Sequence, residues 1–171
     1  MKNYFFLFFF LFFLNNAFAE EKTVYLDLKF LLSNSEAGIY INNELKKIND
    51  KNIEEYKKIE NSLKSDEEKL LKQKNILKQN EFNDKANVLR EKYKSYQILK
   101  NNKNNNLKKI RDDSGKQILK VINDILAEYS TKNNISLIVD KKSIVIGKTE
   151  LDITKNILDL LNSKIKKIEL K

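Results

Sequence analysis

The chain predicts an α+β protein: a small strand-containing body with a long antiparallel α-helical hairpin, a coiled-coil arm, inserted into it. Three observations carry this. Runs suited to strands occur only towards the two ends of the exported portion, at Val24–Leu28 and again from Leu137 onward. Between them, from about Glu36 to Tyr129, apolar residues recur at steps of three and four, in a chain with no Pro and only 3 Gly to interrupt helix. The apolar stripe there is narrow, as in a coiled-coil seam, and it widens only past Gln117.

The first element is an export signal. Lys2 precedes an unbroken aromatic and Leu run, Tyr4 to Leu14, and Ala17-Phe18-Ala19 supplies small residues at a cleavage site before Glu20. As a helix that run reaches only about 16 Å, against a hydrocarbon core of roughly 30 Å, which disfavours a retained anchor. Residues 1–19 are therefore expected to be removed after Ala19.

A short strand follows, with Val24, Leu26 and Leu28 on one face and Tyr25 and Asp27 on the other. Ser33-Asn34-Ser35 provides cap residues for a long helix. Its seam runs Leu45, Ile48, Asn52, Tyr56, Ile59, Leu63, Asp66, Leu70, Gln73, Leu77, with a stutter at Ile48, Asn52 and Tyr56. A second seam runs Phe82, Ala86, Leu89, Tyr93, Tyr96, Lys100, Lys103, Leu107, Ile110, Ser114, Gln117, Val121. Glu54/Lys58, Glu60/Lys64, Glu68/Lys72 and Glu81/Lys85 stand at the spacing that favours pairs within one helix. The register breaks at Lys78-Gln79-Asn80-Glu81, which predicts a hairpin turn near 78–82; one uninterrupted helix is the alternative, since neither Gly nor Pro marks the turn. Ile118, Leu119, Val121, Ile122, Ile125 and Leu126 cover more than one face and enter the body, and Asn133-Asn134 ends the helix. Leu137-Ile138-Val139 and Ser143 to Ile146 are expected strands, and Asp152 or Thr154 caps a last helix carrying Ile153, Ile157, Leu158, Leu160 and Leu161. Residues 20–44 and 118–171 thus form the body, and residues 45–117 form the arm.

Composition narrows the function. Without Cys or His the chain lacks disulfides, the usual transition-metal ligands and the commonest general base. The adjacent carboxylates Asp112 and Asp113 point in different directions on a helix, and no nucleophile stands beside a base. No catalytic, cofactor-binding or metal site is expected, nor an enzyme. The formal charge is +9. Export argues against nucleic acid as the partner, leaving acidic polypeptides and anionic lipid surfaces.

The order of elements resembles the Skp/OmpH family of periplasmic chaperones. One matching segment is Val24-Tyr25-Leu26-Asp27-Leu28 with Leu31-Leu32-Ser33-Asn34-Ser35-Glu36-Ala37-Gly38. The other is Ile135-Ser136-Leu137-Ile138-Val139-Asp140-Lys141 with Leu151-Asp152-Ile153-Thr154 and Ile157-Leu158. The resemblance implies a periplasmic homotrimer in which three bodies share a core and three arms surround a cavity. It also implies that this cavity holds unfolded outer-membrane proteins without ATP or any cofactor. A small body with short strands is marginal alone, which independently favours association. Val24, Leu26, Leu28, Leu137, Val139, Ile144 and Ile146 are the candidates for the shared core.

Basic charge is concentrated on the arm. Residues 69–94 hold eight basic residues (Lys69, Lys72, Lys74, Lys78, Lys85, Arg90, Lys92 and Lys94) against three acidic ones. That tip suits acidic unfolded chains, anionic lipid or lipopolysaccharide. Tyr93 and Tyr96 serve either client stacking or seam packing. The run from Lys100 to Lys109 contains five Asn. At roughly 0.6 kcal/mol per Asn relative to Ala, it is the weakest helix in the chain and a candidate hinge. A passive envelope spacer and a lipid- or lipopolysaccharide-binding protein are the alternative functions.

Overall fold

A computed structural model describes residues 22–170. The predicted signal segment, residues 1–19, lies outside the described residues. Strand β1 (Lys22–Leu26) leads to helix α1 (Leu28–Asn34) and the arm helices α2 (Glu36–Lys72) and α3 (Gln79–Lys132). Strand β2 (Ile135–Asp140), two short 3-10 turns and helix α4 (Thr154–Lys164) complete the order. β1 and β2 pair in parallel, Val24 opposite Ile138 and Leu26 opposite Asp140. Parallel neighbours need a crossover, and here the whole arm is that crossover.

Side-chain caps set the first boundaries. Asp27 accepts from the Phe30 amide at 2.8 Å, so α1 starts at Leu28 and the strand stops at Leu26. The expectation that Leu28 continues the strand is corrected accordingly. Ser35 accepts from the Gly38 amide at 3.1 Å and caps α2. At Gly38 a Cβ would stand 2.2 Å from the Leu32 carbonyl oxygen, so glycine lets α1 end directly against α2. Asn134, with φ 50°, turns the chain out of α3 in the left-handed region that Asn tolerates. The expected cap of α4 by Asp152 or Thr154 is corrected: the helix opens from Ile153 without a side-chain cap, and the Asp152 carboxylate, one residue earlier, accepts from the Thr154 amide at 2.9 Å.

The body core is aliphatic: Leu31 of α1, Ile118, Ile122 and Ile125 of α3, and Ile157 and Leu161 of α4 are all at most 2% exposed. This cluster reaches up the arm through Leu45 and Ile110, with Ile48 and Leu107 packed on it. The boundary drawn at residues 45 and 117 therefore falls inside packed structure. By length the legs span about 55 Å and about 80 Å.

Two further expectations are corrected. The hairpin turn is Gln73–Lys78, ahead of the predicted 78–82, because Gln79, Asn80 and Glu81 already form the first turn of α3. Acidic Glu81 suits the positive end of that helix. Ser143 to Ile146 is not a strand: Asp140 accepts from the Lys142 amide and the Ile144 amide donates to Lys141, closing a 3-10 turn. The sheet holds only β1 and β2 among the described residues, and this apolar run adds no strand to it.

Candidate functional site

The predicted interaction residues occupy opposite ends of the molecule. At the body, the structure divides the seven candidates. Val24 and Leu26 are 2% and 3% exposed inside the subunit's own core. Leu28, Val139 and Ile144 are half-buried, while Leu137 and Ile146 are open to solvent. Val145, not among the candidates, is fully exposed between Ile144 and Ile146. The body thus leaves three large apolar side chains, Leu137, Val145 and Ile146, wet in a lone subunit. Also in the body, Asp152 pairs with Lys141 at 2.9 Å. Burial works to raise the Asp152 carboxyl, but hydrogen bonds from Thr154 and Lys141 outweigh it and hold the group below the usual carboxylate range.

At the other end, all eight predicted basic residues are exposed around the turn. Lys92 reaches across to Asp66 at 2.7 Å, and Lys85 donates to Gln73 at 2.9 Å. The Lys92 hydrogen bond draws the Asp66 carboxyl downward. Arg90 donates to Asn87 at 2.6 Å and Lys94 lies 3.9 Å from Glu91. Among the described residues Lys69, Lys72, Lys74 and Lys78 have no ion-pair partner, so the charge faces solvent. Leu71 and Ile76 project among them, 60% and 80% exposed. Neither falls on the seam, so the apolar period of the sequence gives no sign of them.

Between body and tip the legs are joined by mixed contacts. Tyr56 and Tyr96 meet edge to face at 6.1 Å, and the Lys100 ammonium lies 5.5 Å and 5.6 Å from the two ring centres. Tyr96 donates to Glu60, and that bond, helped by burial, pushes its hydroxyl up to about 12. Lys103 pairs with Glu55. None of the four predicted pairs within one helix forms among the described residues; Glu60 turns instead to Tyr96 and Lys100 on the other leg. Of the two tyrosines offered for client stacking, Tyr96 is buried in the seam. Tyr93 sits at its edge, donating to Glu67 at 3.2 Å. Past Tyr96 an open, largely apolar groove of 750 Å³ runs between the legs, over Ile59, Leu63, Val88 and Leu99.

Among the described residues no helix is long and apolar enough to cross a membrane, and no cluster of acidic side chains could hold a metal ion.

Compared with known proteins, residues 22–161 match the family model described as outer membrane protein (OmpH-like). The fold is similar to a crystal structure from Caulobacter crescentus, provisionally described as an OmpH-like outer membrane chaperone. The TM-score is 0.79 and the identity 15%, covering 87% of this chain and 88% of that one. No curated protein matches the chain in sequence.

Proposed function

Because the chain belongs to the OmpH-like outer membrane protein family, we propose that it is a chaperone of the periplasm, delivered there by its cleaved signal. In this reading it holds unfolded outer-membrane proteins, without ATP, in a cavity between the arms of a homotrimer. The observation that carries it is the pairing of a long two-helix arm with a body that leaves Leu137, Val145 and Ile146 uncovered. Apolar residues this exposed on a small body favour burial against a further copy. Three arms held by one shared core would enclose space that a single hairpin cannot. The basic tips would then ring the cavity mouth and attract acidic chains.

Two measurements test this together. Native mass spectrometry of the mature chain should give a trimer, and Ile146→Asp with Val145→Asp should give monomers of unchanged helicity. A urea-unfolded β-barrel protein diluted with stoichiometric trimer should scatter less light without nucleotide. A monomeric wild type refutes the cavity, and unsuppressed scattering by a trimer favours a passive spacer.

A second reading rests on the tip itself. Leu71 and Ile76 stand exposed among Lys69, Lys72, Lys74 and Lys78, as in segments that dock on anionic bilayers or lipopolysaccharide. Sedimentation with anionic vesicles that survives high salt, and is lost on Ile76→Ser with Leu71→Ser, would support it. Charge alone would give binding that salt removes.

A further inference from the structure

Near the body, one flank of the arm carries three cations that form no ion pair among the described residues. A groove of 430 Å³ between α2 and α3 is lined by Lys46, Lys108 and Arg111, with Asn42, Asn49 and Asn104 among them. Leu45 and Leu107 form its apolar floor. On each helix these positions are spaced by three and four, so they share a face.

Among the described residues no carboxylate lines this groove. In three other grooves on the chain, lysines are accompanied by acids. Near the tip Lys69, Lys85 and Lys92 stand with Asp66 and Asp84, and in the body Lys29, Lys141 and Lys142 stand with Asp27 and Asp140. The apolar groove beside Tyr96 has Glu91 with Lys92. Three neighbouring cations at the arm base are paired, Lys47 with Glu44 at 2.6 Å, Lys103 with Glu55, and Lys116 with Asp113 at 3.4 Å, whereas Lys51 and Lys109 form no ion pair among the described residues. Lys46, Lys108 and Arg111 form no ion pair among the described residues. Like charges gathered in one groove repel, and an anion placed between them reverses the sign of that energy.

We propose that this groove binds a compact, multiply phosphorylated polyol. The guanidinium fork of Arg111 fits phosphate oxygens two at a time, and Lys46 and Lys108 add point charges. The three carboxamides both donate and accept, which hydroxyl groups require and a bare anion does not. The leucine floor accommodates the apolar face of a ring. The volume lies in the small-ligand range of about 300–1,000 Å³. Such a ligand is either free in solution or the headgroup of a lipid; the recognition chemistry is the same.

The test is calorimetric titration of the full mature protein with inositol hexakisphosphate, with myo-inositol as the uncharged control. Binding is expected, weakened about tenfold or more by Lys46→Gln/Lys108→Gln/Arg111→Gln, since all three side chains donate charge-assisted hydrogen bonds to phosphate. Lys69→Gln/Lys72→Gln/Lys74→Gln removes equal charge from the tip and should change affinity less than about twofold, because it lies beyond a Debye length. Equal weakening by both variants, no binding, or tighter binding of a poly-glutamate peptide overturns the proposal. The substituted side chains are exposed, and circular dichroism confirms retained helix. Vesicles of phosphatidylcholine with phosphatidylinositol bisphosphate separate the sources. If the groove variant no longer sediments with them, the ligand is a headgroup; if it sediments normally while losing inositol hexakisphosphate, the ligand is soluble. Suppression of client aggregation by the groove variant should be unchanged, so this site and the chaperone reading fail independently.

Discussion

The body and the arm of this chain are built on different physics. In the body, six Leu and Ile side chains from three helices, Leu31, Ile118, Ile122, Ile125, Ile157 and Leu161, are almost wholly shielded from water. In the arm the separate buried cluster is Tyr56, Leu63 and Tyr96, with Ile59 and Leu89 packed on it. Its neighbouring seam positions are Asn52, Lys100 and Lys103, which bring polar atoms to a helix interface. The contrast shows how one chain combines a rigid base with a long, soft limb. Burial on several sides locks the base, whereas two helices alone bury one narrow stripe and leave their remaining surface free for partners.

The largest test of that contrast compares truncations in the two clusters. Ile122→Ala, in the body, should cost about 3–5 kcal/mol in urea unfolding, because surrounding helices prevent collapse onto the cavity. Leu63→Ala should cost nearer 2 kcal/mol, since a two-helix seam can close over the gap or admit water. Equal costs would mean that the arm is packed as tightly as the body.

Next in size is the hydroxyl pair of the arm. Tyr96→Phe removes the bond to Glu60 and should cost about 1 kcal/mol, limited by the exposure of Glu60 to solvent. Tyr56→Phe should be neutral or slightly stabilising, because the buried Tyr56 hydroxyl has no hydrogen-bond partner among the described residues. Since Tyr96 is raised to about 12, its neutral form is the one the fold favours. The stabilisation is complete below about pH 10 and disappears as pH climbs through 12. Ultraviolet titration should show a tyrosine ionising near pH 12 in wild type that Tyr96→Phe removes, while Tyr93, also raised by burial and its bond to Glu67, keeps its delay in both.

Acid should act on the body instead. Asp152 is held low despite burial, so its contribution is present above the ordinary carboxylate range and is lost as pH falls through its folded value. Asp152→Asn should lower stability at neutral pH and make the loss below about pH 4 shallower. An unchanged acid slope would assign the acid response to other carboxylates.

How much of this was legible depended on whether a feature belongs to one helix or to the meeting of two. The eight first-seam positions that lie in α2, Leu45 to Leu70, are all buried or half-buried, because a seam is a property of one helix's period, while Gln73 and Leu77 fall in the turn. The second seam departs only at Tyr93 and Gln117. β1 defied alternation: Val24, Tyr25 and Leu26 are all buried, since the segment around Gly147 and Lys148 covers the Tyr25 side, where alternation predicts an open face. The expected pair Glu60/Lys64 failed for the same reason, as Glu60 turned to Tyr96 and Lys100 on the opposite leg. The groove of Lys46, Lys108 and Arg111 was invisible because it exists only once the register between the legs is set.

The smallest expected effect concerns where the two clusters fail to meet. The body cluster ends at Ile48 and Leu107, and the arm cluster begins at Tyr56 and Tyr96. Between them the seam holds Asn52, Lys100 and Lys103, and α3 runs unbroken through the Asn-rich segment whose five Asn are all exposed. Helix there gains little from packing and is intrinsically weaker by about 3 kcal/mol than an Ala run of that length. Hydrogen exchange at Asn101–Asn106 should therefore outpace that at the legs' tip side, around Leu63 and Leu89, although fraying from the turn works in the opposite direction. Replacing Asn101, Asn102, Asn104, Asn105 and Asn106 with Ala should slow exchange at those sites and leave the body's amides unchanged. Exchange at the tip as fast as in the Asn run would remove the hinge and make the arm a single flexible rod.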